Sequence, residues 1–93
     1  MSDDHKRKEE RDLIRKFEAT QRNKEHYFFD EEELINIIHY YVLQDKTNNA
    51  LKAANFGLNQ FPFSVDLTVE KSDILVKQHL LHDALELLEL TLA

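Results

Sequence analysis

Three histidines are the first residues to weigh for chemistry. His79 and His82 stand three apart, a spacing that places two imidazoles on one helix face, and His39 lies further up the chain. Imidazole nitrogens so arranged suit zinc. Two ligands do not make a site, and no carboxylate pattern completes an H-E-x-x-H motif. The expectation is surface histidines near a turn, with no metal. Glu31, Glu32 and Glu33 could meet a cation, but the first turn of a helix favours negative charge without one. The sequence has no Gly-rich phosphate loop, no G-x-S-x-G elbow and no Cys nucleophile. The reading is a chain with no catalytic residues and no cofactor.

The elements that carry these residues are bounded by composition. The chain has 93 residues, enough for one small domain with a thin core. One Gly and one Pro suit long helices with short connections. The absence of Cys excludes a disulfide framework and favours a reducing compartment. No apolar run reaches the roughly 18 residues of a membrane span, and the charged start, MSDDHKRKEERD, lacks the apolar stretch of a secretory signal. A cytoplasmic protein with no membrane contact is expected. Net charge is −6, unevenly spread. Residues 1–26 hold eight Lys/Arg against seven Asp/Glu, and residues 27–93 hold four against eleven. An acidic body discourages nucleic-acid binding, which needs Lys and Arg against phosphate. The basic residues near the start alternate with acids. They read as a solvated, ion-paired helix face, with a phosphate-binding arm as the alternative.

Five helices are expected. The first, from about Lys6 to Arg22, has one narrow apolar stripe of Leu13, Ile14 and Phe17, so it can lie on a body as a cap. After the aromatic connection KEHYFFD, Asp30 and Glu33 form a capping-box-like start with Phe29 and Leu34 as a hydrophobic staple. The helix from Glu31 to about Gln44 is apolar over most of its girth, hence buried on two sides. Asp45, Lys46 and Thr47 make a turn in which Asp45 or Thr47 caps the next helix. That helix, about Asn48 to Asn59, sets Ala50, Ala53, Ala54 and Gly57 on one stripe, which permits close backbone approach. Pro62 ends the unit. Ser64 caps a fourth helix, about Val65 to Gln78, and a fifth runs from about Leu81 or His82 to the end.

Shifted by 34 residues, the pattern recurs: Tyr41/Leu75, Val42/Val76, Ala50/Ala84, Leu51/Leu85 and Leu58/Leu92. This unit resembles the tetratricopeptide repeat, a 34-residue helix–turn–helix with a W-x2-L-G-x2-Y…A-x3-F…P signature. Leu34, Ile37 and Ile38 take the Trp, Leu and Gly places, Tyr41 and Ala50 match, Ala54 takes the Phe place and Pro62 the proline. The second copy offers Thr68, Lys71, Ser72, Leu75, Ala84, Leu88 and Thr91. It departs early and matches late. The overall flavour is that of the N-terminal part of longer multi-repeat bacterial proteins of this family.

The resemblance implies an all-α fold of antiparallel helical hairpins stacked as an α-solenoid. Residues 1–29 would form the charged cap and connection, 31–64 the first repeat and 65–93 an incomplete second. It implies a non-catalytic protein–protein interaction module that takes a protein or peptide segment in the groove lined by each repeat's first helix. The groove positions are Ile35, His39, Val42 and Leu43 from the first copy and Val69, Asp73, Val76 and Lys77 from the second. Leu80, Leu87 and Leu90 would face where a further repeat should sit, so the isolated chain is expected to self-associate, or to be a piece of a longer array. The alternative is a purely structural cap of a longer solenoid whose partner site lies further along.

Overall fold

The computed structural model describes residues 2–23 and 27–92, and side chains for 4–23 and 27–89. It is all-helical, with four helices among the described residues: α1 (Ser2–Asn23), α2 (Glu31–Leu43), α3 (Thr47–Gln60) and α4 (Val65–Leu92). The helices α2 and α3 form a tight hairpin. The first part of α4 packs along α3 and touches α2, while α1 lies against α2.

The start of α2 is fixed locally. Asp30 Oδ1 accepts from the Glu33 N–H at 2.7 Å, and Glu33 Oε1 accepts from the Asp30 N–H at 3.0 Å, so the capping box closes in both directions. Phe29 and Leu34 flank it, both fully buried. At the other end the chain turns through Asp45, whose φ of 58° is the left-handed conformation that Asp tolerates better than most residues. Neither Asp45 nor Thr47 caps α3. Lys46 occupies that place without a side-chain bond, and its carbonyl simply starts the helix by accepting from the Ala50 N–H.

The hairpin closes on small residues. Ala50, Ala53, Ala54 and Gly57 are all fully buried. A Cβ on Gly57 would lie 2.9 Å from Leu67 Cδ1 of α4 and 3.4 Å from Leu34 Cδ1 of α2. The glycine therefore marks the place where α3 is pressed from two sides. Ser64 caps α4 as expected, its Oγ accepting from the Leu67 N–H at 3.1 Å.

The expected count of five helices is corrected to four. The break expected between Gln78 and Leu81 is absent, and α4 runs unbroken for 28 residues. The physical reason lies in the residues at the missing turn. Where the first copy has Asp45, Lys46 and Thr47, the second has His79, Leu80 and Leu81. Leucine is among the better helix formers, and this stretch offers neither a Gly nor a side-chain cap.

Candidate functional site

The hairpin's interior is an aromatic cluster reached from three directions. Phe17 of α1 meets Phe29, Tyr41 and Phe56, with ring centroids 5.9, 6.3 and 5.5 Å away. Phe29 and Phe56 also stack edge to face at 5.8 Å. Lys16 lies 5.0 Å above the Phe29 ring and 5.3 Å above that of Tyr27, a cation–π lid over the connection. Phe17 thus ties α1 to α3 as well as to α2. The apolar stripe of α1 pointed to Phe17, but Phe56 falls outside the small-residue stripe of α3 and no pattern singles it out.

Tyr41 OH donates to Glu18 Oε1 at 3.1 Å. Burial, and then the carboxylate that accepts this bond and repels a phenolate, push the Tyr41 hydroxyl well above the ordinary tyrosine value. It stays a neutral donor, which makes it a clasp between α1 and α2 rather than an acid–base group.

The groove positions from the two copies fall on adjacent helices. His39 Nε2 of α2 lies 2.8 Å from Glu70 Oε1 of α4, a cross-helix pair that sequence spacing did not identify. Ile35 and Val42 are half-buried and pack on the core. Leu43 is 87% exposed. Val69, Asp73, Val76 and Lys77 are exposed along α4. A cleft of about 650 Å³ opens between α1 and α2, lined by Lys6, Glu10, Lys16, Asn36, His39 and Tyr40 among others. Acids and bases line it together, and none of its lining residues among the described ones is buried.

The three self-association positions divide. Leu80 and Leu87 are 61% and 66% exposed. The side chain of Leu90 lies outside the described residues. Apart from half-buried Gln78, every residue from Leu75 to Glu89 is exposed. Beyond Ile74, α4 therefore leaves the body and carries its leucines into water.

The histidines on this stretch do find carboxylates. His79 Nε2 is 3.3 Å from Asp83 Oδ2, and His82 Nδ1 is 3.9 Å from both Asp83 Oδ1 and Glu86 Oε2. Donor atoms of His82, Asp83 and Glu86 lie within 4.8 Å of one another. All sit on the open side of a single helix; His79–Asp83 and His82–Glu86 are i,i+4 pairs, ordinary surface contacts there, and His82–Asp83 joins neighbours in sequence. Among the described residues no helix is long and apolar enough to cross a membrane.

Comparison with known proteins finds no matching family model, no matching curated protein and no matching solved structure.

Proposed function

We propose that this chain is a non-catalytic protein–protein interaction module, built in the manner of tetratricopeptide repeats, that self-associates through the uncovered part of α4. One observation carries the reading: α4 stays helical past Ile74 while Leu80, Leu81, Leu85 and Leu88 lie in water. Large contiguous apolar surface on a folded chain marks an interaction site. The repeat likeness is supported by the α2–α3 hairpin, its buried small-residue stripe and the His39–Glu70 pair between successive first helices. It is weakened by the single helix where a second hairpin belongs. A groove bordered by Glu70 and Asp73 favours a basic, partly apolar peptide segment as a further partner, in a cytoplasmic setting.

Sedimentation equilibrium tests the reading. The chain should associate at tens of micromolar, and the Leu81→Glu/Leu85→Glu variant should not. A monomeric parent chain at that concentration would end it. That result would favour the second reading, a structural cap of a longer solenoid, which draws on α1. Its Phe17 closes one side of the hairpin while its outer face is charged, the form of a solenoid end.

A further inference from the structure

We infer that the partner of distal α4 is the distal α4 of a second copy, running antiparallel about a two-fold axis near residue 83. This rests on the self-association just proposed and adds its partner, face and direction.

The face is a single seam. Ile74, Gln78, Leu81, Leu85 and Leu88 follow one another at steps of four and three, the 3.5-residue period along which two helices pair side by side. Leu67 and Ile74, on the same stripe, are buried against the body. Leu81, Leu85 and Leu88 continue it at 62%, 53% and 55% exposure. Composition does not change where cover ends, so the same stripe is built for a partner along its whole length.

The amount of surface is right for a second copy. The chain exposes 7220 Å², where a compact monomer of 11.1 kDa exposes about 5,700 Å². The radius of gyration is 15.8 Å against about 12 Å for a compact chain of this length. Part of the excess is the charged start of α1, which water serves well. Leu80, Leu81, Leu85, Leu87 and Leu88 of α4 contribute much of its apolar part, beside Leu43 and Phe63 elsewhere. The excess is roughly 1,500 Å², so about half of it would supply the ~800 Å² that one partner contributes to a standard interface.

The chain's own distal half is a poor occupant. A fold-back hairpin would use the face that in α2 carries Leu34, Ile37 and Ile38. In α4 the same register carries Thr68, Lys71 and Ser72. Covering these without partners costs free energy that exposed leucines do not return in full.

Direction follows from sterics. In a parallel, in-register pair each copy's α3, packed on α4 at Gly57–Leu67, would stand where the other copy's α4 must run. An antiparallel pair sets the two bodies at opposite ends and places Leu81 against Leu85. It is self-complementary, as a two-fold interface requires.

The chain has no cysteine, so introduced ones report without background. Under mild oxidation Ala84→Cys should give a disulfide-linked dimer. Gln78→Cys and Leu88→Cys should each give none alone, because their copies lie roughly 15 Å apart, yet the two mixed should cross-link to each other. Self-linking at both 78 and 88 would overturn the antiparallel direction while leaving self-association standing. Monomers in sedimentation would overturn both. The Leu81→Glu/Leu85→Glu variant should keep its helical circular dichroism, since both side chains are exposed, and should weaken association by roughly tenfold or more. Unchanged association in a folded variant would move the interface off this seam and overturn the proposal.

Discussion

The α2–α3 hairpin and the α4 helix share one register over 34 residues, yet the first folds back on itself and the second runs straight. Three local differences account for this. The hairpin turns at Asp45 with a positive φ, where α4 has His79. It closes on Leu34, Ile37 and Ile38, where α4 has Thr68, Lys71 and Ser72. It approaches through Ala50, Ala53, Ala54 and Gly57, where α4 has Ala84, Leu87, Leu88 and Thr91. A hairpin therefore needs a turn, an apolar face and a small-residue stripe together. The echo in α4 keeps the leucines and loses the means of burying them within the chain.

The sharpest way to break this comparison is to make one substitution in both regions. Leu34 is fully buried, so Leu34→Ala should cost about 2–5 kcal/mol through lost transfer and a residual cavity. Leu85 is half-exposed, so Leu85→Ala should change the stability of the dilute monomer by less than about 0.5 kcal/mol. Urea unfolding followed by circular dichroism measures both. Equal costs at the two sites would mean that distal α4 is covered within the monomer.

Gly57 tests the close approach. Alanine there gains about 1 kcal/mol of helix propensity. It also places a Cβ 2.9 Å from the buried tip of Leu67, and overpacking of this kind costs typically 1–3 kcal/mol. Leu67 of α4 is fully buried against α3, so its Cδ atoms must shift within a packed interior to admit the methyl. Gly57→Ala should therefore be net destabilising by about 1 kcal/mol. A stabilised variant would show that the α3–α4 contact is looser than the geometry indicates.

The two helix starts come next. Asp30→Ala opens the capping box of α2 and should cost about 1 kcal/mol. Ser64→Ala removes the acceptor of the Leu67 N–H at the start of α4 and should cost a similar amount. These starts were legible in the sequence because a cap is a local event, decided by residues three apart. The small-residue stripe was legible for the same reason. The expected break after Gln78 was not, because helix continuation there depends on whether a returning helix finds a face to cover, and that face is six to ten residues back at Thr68, Lys71 and Ser72 or on another molecule. The same limit hid the partner of His39: Glu70 lies 31 positions on, joined by packing rather than by pattern. Of the groove positions, Ile35 and Val42 were legible as apolar but not as half-buried against the core, since a helix apolar on most sides does not reveal which side is covered.

Tyr41 offers the smallest effect and the finest contrast, because its counterpart in the second copy is Leu75, an exposed residue with no hydroxyl to place. Tyr41→Phe keeps the ring among Phe17 and its neighbours and removes only the bond to Glu18. The carboxylate left behind is on an exposed residue and rehydrates, so the cost should sit near the low end of the roughly 0.5–1.5 kcal/mol of a hydrogen bond. The pH dependence has a definite sign. Burial and Glu18 raise the folded hydroxyl above its unfolded value, so the neutral phenol favours folding. That contribution is complete below about pH 10, the ordinary tyrosine value, and declines above it. Tyr41→Phe should therefore flatten the fall in stability on the alkaline side while leaving it nearly unchanged near neutrality. An alkaline profile identical in the two proteins would show that the clasp between α1 and α2 is open in solution, and that Phe17 alone holds the cap to the hairpin.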